Sequence, residues 1–183
     1  MNLKLLIYLI ISFVFSSGYG QKIIVNKDIK VTETEILIKE KYPSNGRLYC
    51  YDIIKNDTIT IYVSKVGLAG DTFKLIMVNG KVIPKVVKWT DTNSYDGKSS
   101  VELENANYKL EINDTIFKSG DTLKAKFTVA TKKHRYSEKK KLTGEIFHII
   151  GGNQYEWING KAVHNWWWKN GKQDFTTQKS KED

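Results

Sequence analysis

The sequence predicts an all-β protein, an antiparallel sandwich continued by a C-terminal meander. Three observations predict it. Apolar and polar residues alternate with a period of two over most of the chain, which buries one face of a strand. Turn dipeptides punctuate these stretches: Asn-Gly at 45–46, 79–80, 159–160 and 170–171, and Asp-Gly at 96–97. Such pairs supply the φ > 0 that two-residue hairpin turns require. No window of helical length carries a 3.6-residue apolar stripe with start and stop signals.

The first twenty residues have another character. Lys4 precedes Leu5–Phe15, an apolar run broken only by Tyr8 and Ser12, and Gly18 and Gly20 stand before Gln21. A charged start, an apolar middle and small residues at the end are the layout of a secretory signal peptide cut before Gln21. A membrane span needs about 20 apolar residues, which this run does not reach. The expected organisation is a signal peptide over 1–20, a β-sandwich over 21–150, and an aromatic-rich meander with a polar tail over 151–183, packed on the same domain. The expected location is periplasmic or extracellular, with no transmembrane segment after cleavage. Removing residues 1–20, which carry Lys4 and no acid, leaves 163 residues and a formal charge of +8 rather than +9. A chain of that length buries roughly 70% of its unfolded surface in one core.

The strands follow in order. Residues 21–26 and 31–38 are rich in Ile, Val and Thr, and Leu48–Ile53 surrounds Cys50. Ile59, Ile61 and Val63 alternate with polar neighbours. Phe73–Val78 and Lys81–Trp89 form a hairpin around Asn79-Gly80, with Pro84 pushing the second arm toward a sheet edge. Tyr108, Leu110 and Ile112 alternate, then Leu123, Ala125, Phe127 and Val129. Leu142–Ile150 contains Gly144, a bulge or close-approach position. The outline of 108–150, with its Ser119-Gly120-Asp121 turn, resembles strands of an immunoglobulin-like sandwich, so the expected architecture is that fold or a related antiparallel sandwich. Asp91–Ser100 and Lys132–Lys141 are loops.

Cys50 is the single cysteine. A buried small side chain is its ordinary role, and an intermolecular disulfide is the alternative in an exported protein. The basic excess is 27 Lys against two Arg. Arg is the better bidentate phosphate binder, so this excess implies solubility or attraction to anionic glycans and headgroups, with no nucleic-acid partner.

The segment 154–175 holds four of the five tryptophans, with Trp-Ile-Asn-Gly-Lys at 157–161 and Trp-Lys-Asn-Gly-Lys at 168–172. Two-residue hairpins at both Asn-Gly pairs would set Trp157 against Ala162, Tyr155 against His164, Trp168 against Gln173 and Trp166 against Phe175. One face then carries Tyr155, Trp157, His164, Trp166 and Trp168. Such a face either packs on the sandwich or stacks on the C–H faces of sugars. The run Lys132, Lys133, Arg135, Lys139, Lys140 and Lys141 is a solvated loop or an anion-binding patch.

Other constellations are weaker. Asp91, Asn93, Tyr95 and Glu102 fit a calcium-loop spacing in part, but Asp96 stands where that loop needs glycine. His134, His148 and His164 are too scattered to imply zinc. Asn56-Asp57-Thr58 and Asn113-Asp114-Thr115 match the glycosylation sequon. No catalytic, metal or cofactor motif stands out. The expected function is therefore a non-enzymatic binding module for a glycan or another envelope component. A subunit of an envelope assembly is the alternative, and a sandwich hydrolase with acids gathered from distant strands is a weaker third.

Overall fold

A computed structural model describes residues 21–38, 47–65, 67–151, 153–158, 161–169 and 172–173; for 37, 38, 47 and all positions beyond 151 it describes the backbone alone. The described residues form thirteen strands: β1 (Gln21–Val25), β2 (Glu35–Ile38), β3 (Arg47–Lys55), β4 (Thr58–Lys65), β5 (Ala69–Val78), β6 (Lys81–Thr90), β7 (Ser100–Leu103), β8 (Asn105–Ile112), β9 (Thr122–Thr131), β10 (Lys141–Ile149), β11 (Asn153–Ile158), β12 (Lys161–Lys169) and β13 (Lys172–Gln173). There is no helix among them, hence none long and apolar enough to cross a membrane.

The strands pack as two sheets, an all-β sandwich. One sheet has five strands in the order β1-β8-β9-β10-β2, and the other eight in the order β13-β12-β11-β3-β4-β5-β6-β7. All pairings are antiparallel except β1 with β8. Five consecutive strands, β3 to β7, stay in one sheet as a meander. An immunoglobulin domain instead passes the chain repeatedly between its two sheets.

The period-two pattern produces the core directly. In β9 the inward set is Leu123, Ala125, Phe127, Val129 and Thr131, all buried. Ile59, Ile61 and Val63 of β4 face them with Phe73, Leu75 and Met77 of β5. Phe73 and Phe127 stack across the two sheets with centroids 3.7 Å apart. Gly144 makes that stack possible, as its close-approach reading anticipates. A Cβ on Gly144 would collide with the Glu35 carbonyl and stand 2.7 Å from the Phe127 ring.

The turns follow their chemistry. Asn79 and Gly80 have φ of 50° and 71°, and Asp96 and Gly97 have 51° and 77°, so both turns use the left-handed region. Three expectations are refined. Residues 31–34 are not strand; Ile29, Val31 and Thr34 are buried in a connection, where the Thr34 hydroxyl donates to the Phe147 carbonyl and accepts from the Phe147 N–H. β6 is not an edge strand, but β7 covers only Val86–Trp89, which leaves Pro84 on the uncovered part. Asn56, φ 52°, belongs to the tight β3–β4 turn, and the Asn113 amide is occupied by the Thr122 carbonyl and the Lys124 N–H.

Candidate functional site

The C-terminal strands extend the eight-stranded sheet at β3. Gln154 pairs with Tyr51, Tyr155 with Cys50, Glu156 with Tyr49 and Trp157 with Leu48. On the other side Tyr155 pairs with His164 and Trp157 with Ala162, then Trp168 with Gln173 and Lys169 with Lys172. These are the pairs that two-residue hairpins at the Asn-Gly positions require. Directly opposed residues share a face. Tyr155, Trp157, Ala162 and His164 therefore hold register positions on the side of the sheet where Leu48 and Cys50 point into the core. Between Asn153 and Gln154 the register slips, so that Asn153 pairs with Lys169 and Gln154 with Asn165. Trp166, Trp167 and Trp168 stand in that irregular stretch, where β11 does not fix their alternation. Phe175 lies outside the described residues, as do the side chains of the aromatic row.

Side-chain contacts tie the five-stranded sheet to β3 and β5, and β2 continues it past β10. β9 meets β5 through Phe127 and Phe73, and β10 meets β3 through His148. Strands stand about 4.8 Å apart, so five span about 19 Å and eight about 34 Å. β11, β12 and β13 lie beyond β3, on the side away from β4 to β7.

Beside that extension, β10 delivers a histidine to β3. His148 Nδ1 is 3.5 Å from Cys50 Sγ, and its Nε2 is 2.8 Å from Asp52 Oδ1. The Gly151 N–H donates to Asp52 Oδ2 at 3.2 Å, which holds the chain where it leaves β10 for β11. Burial alone would lower the imidazole pKa, but the Cys50 thiol and the Asp52 carboxylate outweigh it and raise the value to about 10. No neighbouring segment of the sequence supplies Cys50 with a histidine; the partner, His148, lies 98 residues away and on the other sheet. The order Cys–His–Asp is that of an activated thiol. Cys50 and Asp52 have no exposed surface and His148 has 1%. The chain of groups is thus a buried polar tie between the sheets. An intermolecular disulfide through Cys50 is excluded in this fold for the same reason.

The basic run is largely neutralised by its neighbours. Lys132 pairs with Glu104, Lys133 with Glu138 at 3.3 Å, Arg135 with Asp96 and Lys140 with the buried Asp71. Lys139 and Lys141 have no acid partner among the described residues. The two loops read from sequence meet here: Tyr136 donates its hydroxyl to Asp96, and its ring packs on Tyr95 at 5.1 Å. Tyr95 is buried, so Asp91, Asn93 and Glu102 do not gather with it into a calcium loop. No group of metal-ligating side chains forms among the described residues. His134 serves its own loop, where its Nδ1 accepts the Tyr136 N–H.

No protein-family model, no curated protein and no solved structure matches the chain.

Proposed function

We propose that the protein is an exported, non-enzymatic binding module that takes up glycan through the aromatic row of its C-terminal meander: Tyr155, Trp157, Trp166 and Trp168 as stacking rings and His164 as a polar contact. One observation carries the reading. The strands bearing these residues extend the sheet past β3, while the five-stranded sheet is anchored over β3 and β5. A concentration of large rings on such an extension matches a carbohydrate platform better than it matches the needs of a core already filled by Phe73, Phe127 and their neighbours. Export is supported by the charged, apolar and small-residue order of residues 1–20. After removal of residues 1–20 the formal charge is +8 rather than +9, and its long-range attraction favours an acidic polymer.

The test is retention on immobilised polysaccharides by the wild type and by Trp157→Ala/Trp166→Ala. The double variant should lose retention and keep its thermal midpoint. A collapse of the midpoint would instead make the rings part of the core.

A second reading, a subunit of an envelope assembly, is favoured by β1. Among the described strands it is the edge of the five-stranded sheet, and it leaves Ile23 and Val25 exposed. An open edge of this kind adds a strand from a partner. It requires a defined oligomer or a copurifying protein, and no retention on glycan.

A further inference from the structure

At one end of the sandwich the two sheets part around a groove of about 480 Å3. The Asn56-Asp57 turn and the Asn79-Gly80 turn form one wall, and the connection from β8 to β9 forms the other. Ile59 and Met77 make a buried apolar floor. Above it Ile54 is 45% exposed and Ile116 is 73% exposed.

Ile116 is not exposed because its loop is loose. Asp114 Oδ1 accepts the N–H of Thr115 at 2.6 Å and of Ile116 at 3.1 Å. The Lys118 N–H donates to Asp121 Oδ2 at 2.9 Å, and the Gly120 N–H to the Ile150 carbonyl at 2.7 Å. On the opposite wall Gly80 has φ 71°, and a Cβ there would lie 3.8 Å from the Ile116 side chain. Two pinned turns therefore hold two isoleucines in water over an apolar floor. An uncovered apolar group of that size costs free energy that the fold recovers only when something covers it.

We propose that this groove is a second ligand site, for a small amphipathic monoanion with an apolar body. Its volume lies within the 300–1,000 Å3 range of small-molecule sites. The head group follows from the rim. The Lys118 ammonium is exposed and has no acid partner among the described residues. Asp57 on the same rim disfavours a second negative charge.

Two dyes test the site on the full chain: 1-anilinonaphthalene-8-sulfonate, a monoanion, and N-phenyl-1-naphthylamine, which has the same apolar body without the sulfonate. The sulfonate dye should bind saturably at one site. Ile116→Ser should weaken both dyes about tenfold, the loss expected from one isoleucine contact. Lys118→Gln should weaken the sulfonate dye alone. Each change is at an exposed position, so the thermal midpoint should hold; if Ile116→Ser lowers it, Ile54→Thr replaces it. Absence of saturable binding, or binding that neither isoleucine variant alters, overturns the proposal.

Discussion

His148 Nε2 and Asp52 Oδ1 stand 2.8 Å apart in the core, one on each sheet of the sandwich. The contact joins β10 to β3, the strand on which the C-terminal meander is built. The imidazole is thereby held as a cation where burial would otherwise neutralise it, and the carboxylate is satisfied from its other side by the Gly151 N–H.

Stability should therefore depend on pH through His148. Its folded pKa is raised to about 10 from an ordinary value of 6.5. A raised pKa contributes stability that is complete below the unfolded value and is lost as pH rises through the folded one. Urea midpoints of the wild type should fall between pH 6.5 and pH 10 relative to those of His148→Gln. A difference between the two proteins that stays constant over that window would contradict the ion pair.

Asp52→Ala should be far more harmful than Cys50→Ala. The first leaves a buried imidazolium without its carboxylate, a loss of about 3–5 kcal/mol in comparable pairs. The second removes one weak contact at 3.5 Å and a small side chain, for about 1 kcal/mol. Chemical denaturation of both variants checks the order, and a loss from Cys50→Ala as large as that from Asp52→Ala would show that the thiol holds the histidine as firmly as the carboxylate does.

The Cys50 thiol should not react with Ellman's reagent in the native protein and should react fully in denaturant, because the side chain has no exposed surface. The protein should run as a monomer band with and without reductant. Rapid native labelling would show that β3 opens far more readily than its packing implies.

Gly144→Ala should destabilise by about 1–3 kcal/mol, the usual cost of overfilling a packed core. The added methyl meets the Glu35 backbone and the Phe127 ring, and the ring cannot retreat because Phe73 stacks on its far side. Thermal unfolding checks this, and Phe127→Leu in the same background should recover part of the loss.

The sequence carried the strands and turns far better than the site. Alternation in 122–131 places Leu123, Ala125, Phe127 and Val129 inside because a strand has only two faces. Asn79-Gly80 and Asp96-Gly97 announce their turns because few other residues accept positive φ at both positions. The same local rules set Tyr155 against His164. They are silent on contacts between sheets. Parity puts Cys50 and Asp52 on one face and His148 among the inward residues of its own strand, but no local signal says that residues 96 and 98 apart converge. Likewise, the basic residues of 132–141 read as a free positive run because Glu104, Asp96 and Asp71, the partners of Lys132, Arg135 and Lys140, come from elsewhere in the chain.

On the proposed function, the tryptophans of the meander meet solvent and ligand. Acrylamide quenching of Trp89→Phe, whose remaining tryptophans are those at 157, 166, 167 and 168, tests it most directly. The expected result is emission quenched nearly as readily as free indole, and protected when a bound polysaccharide is added. Blue-shifted emission that resists acrylamide until the protein unfolds would put the rings in the core and end the binding reading.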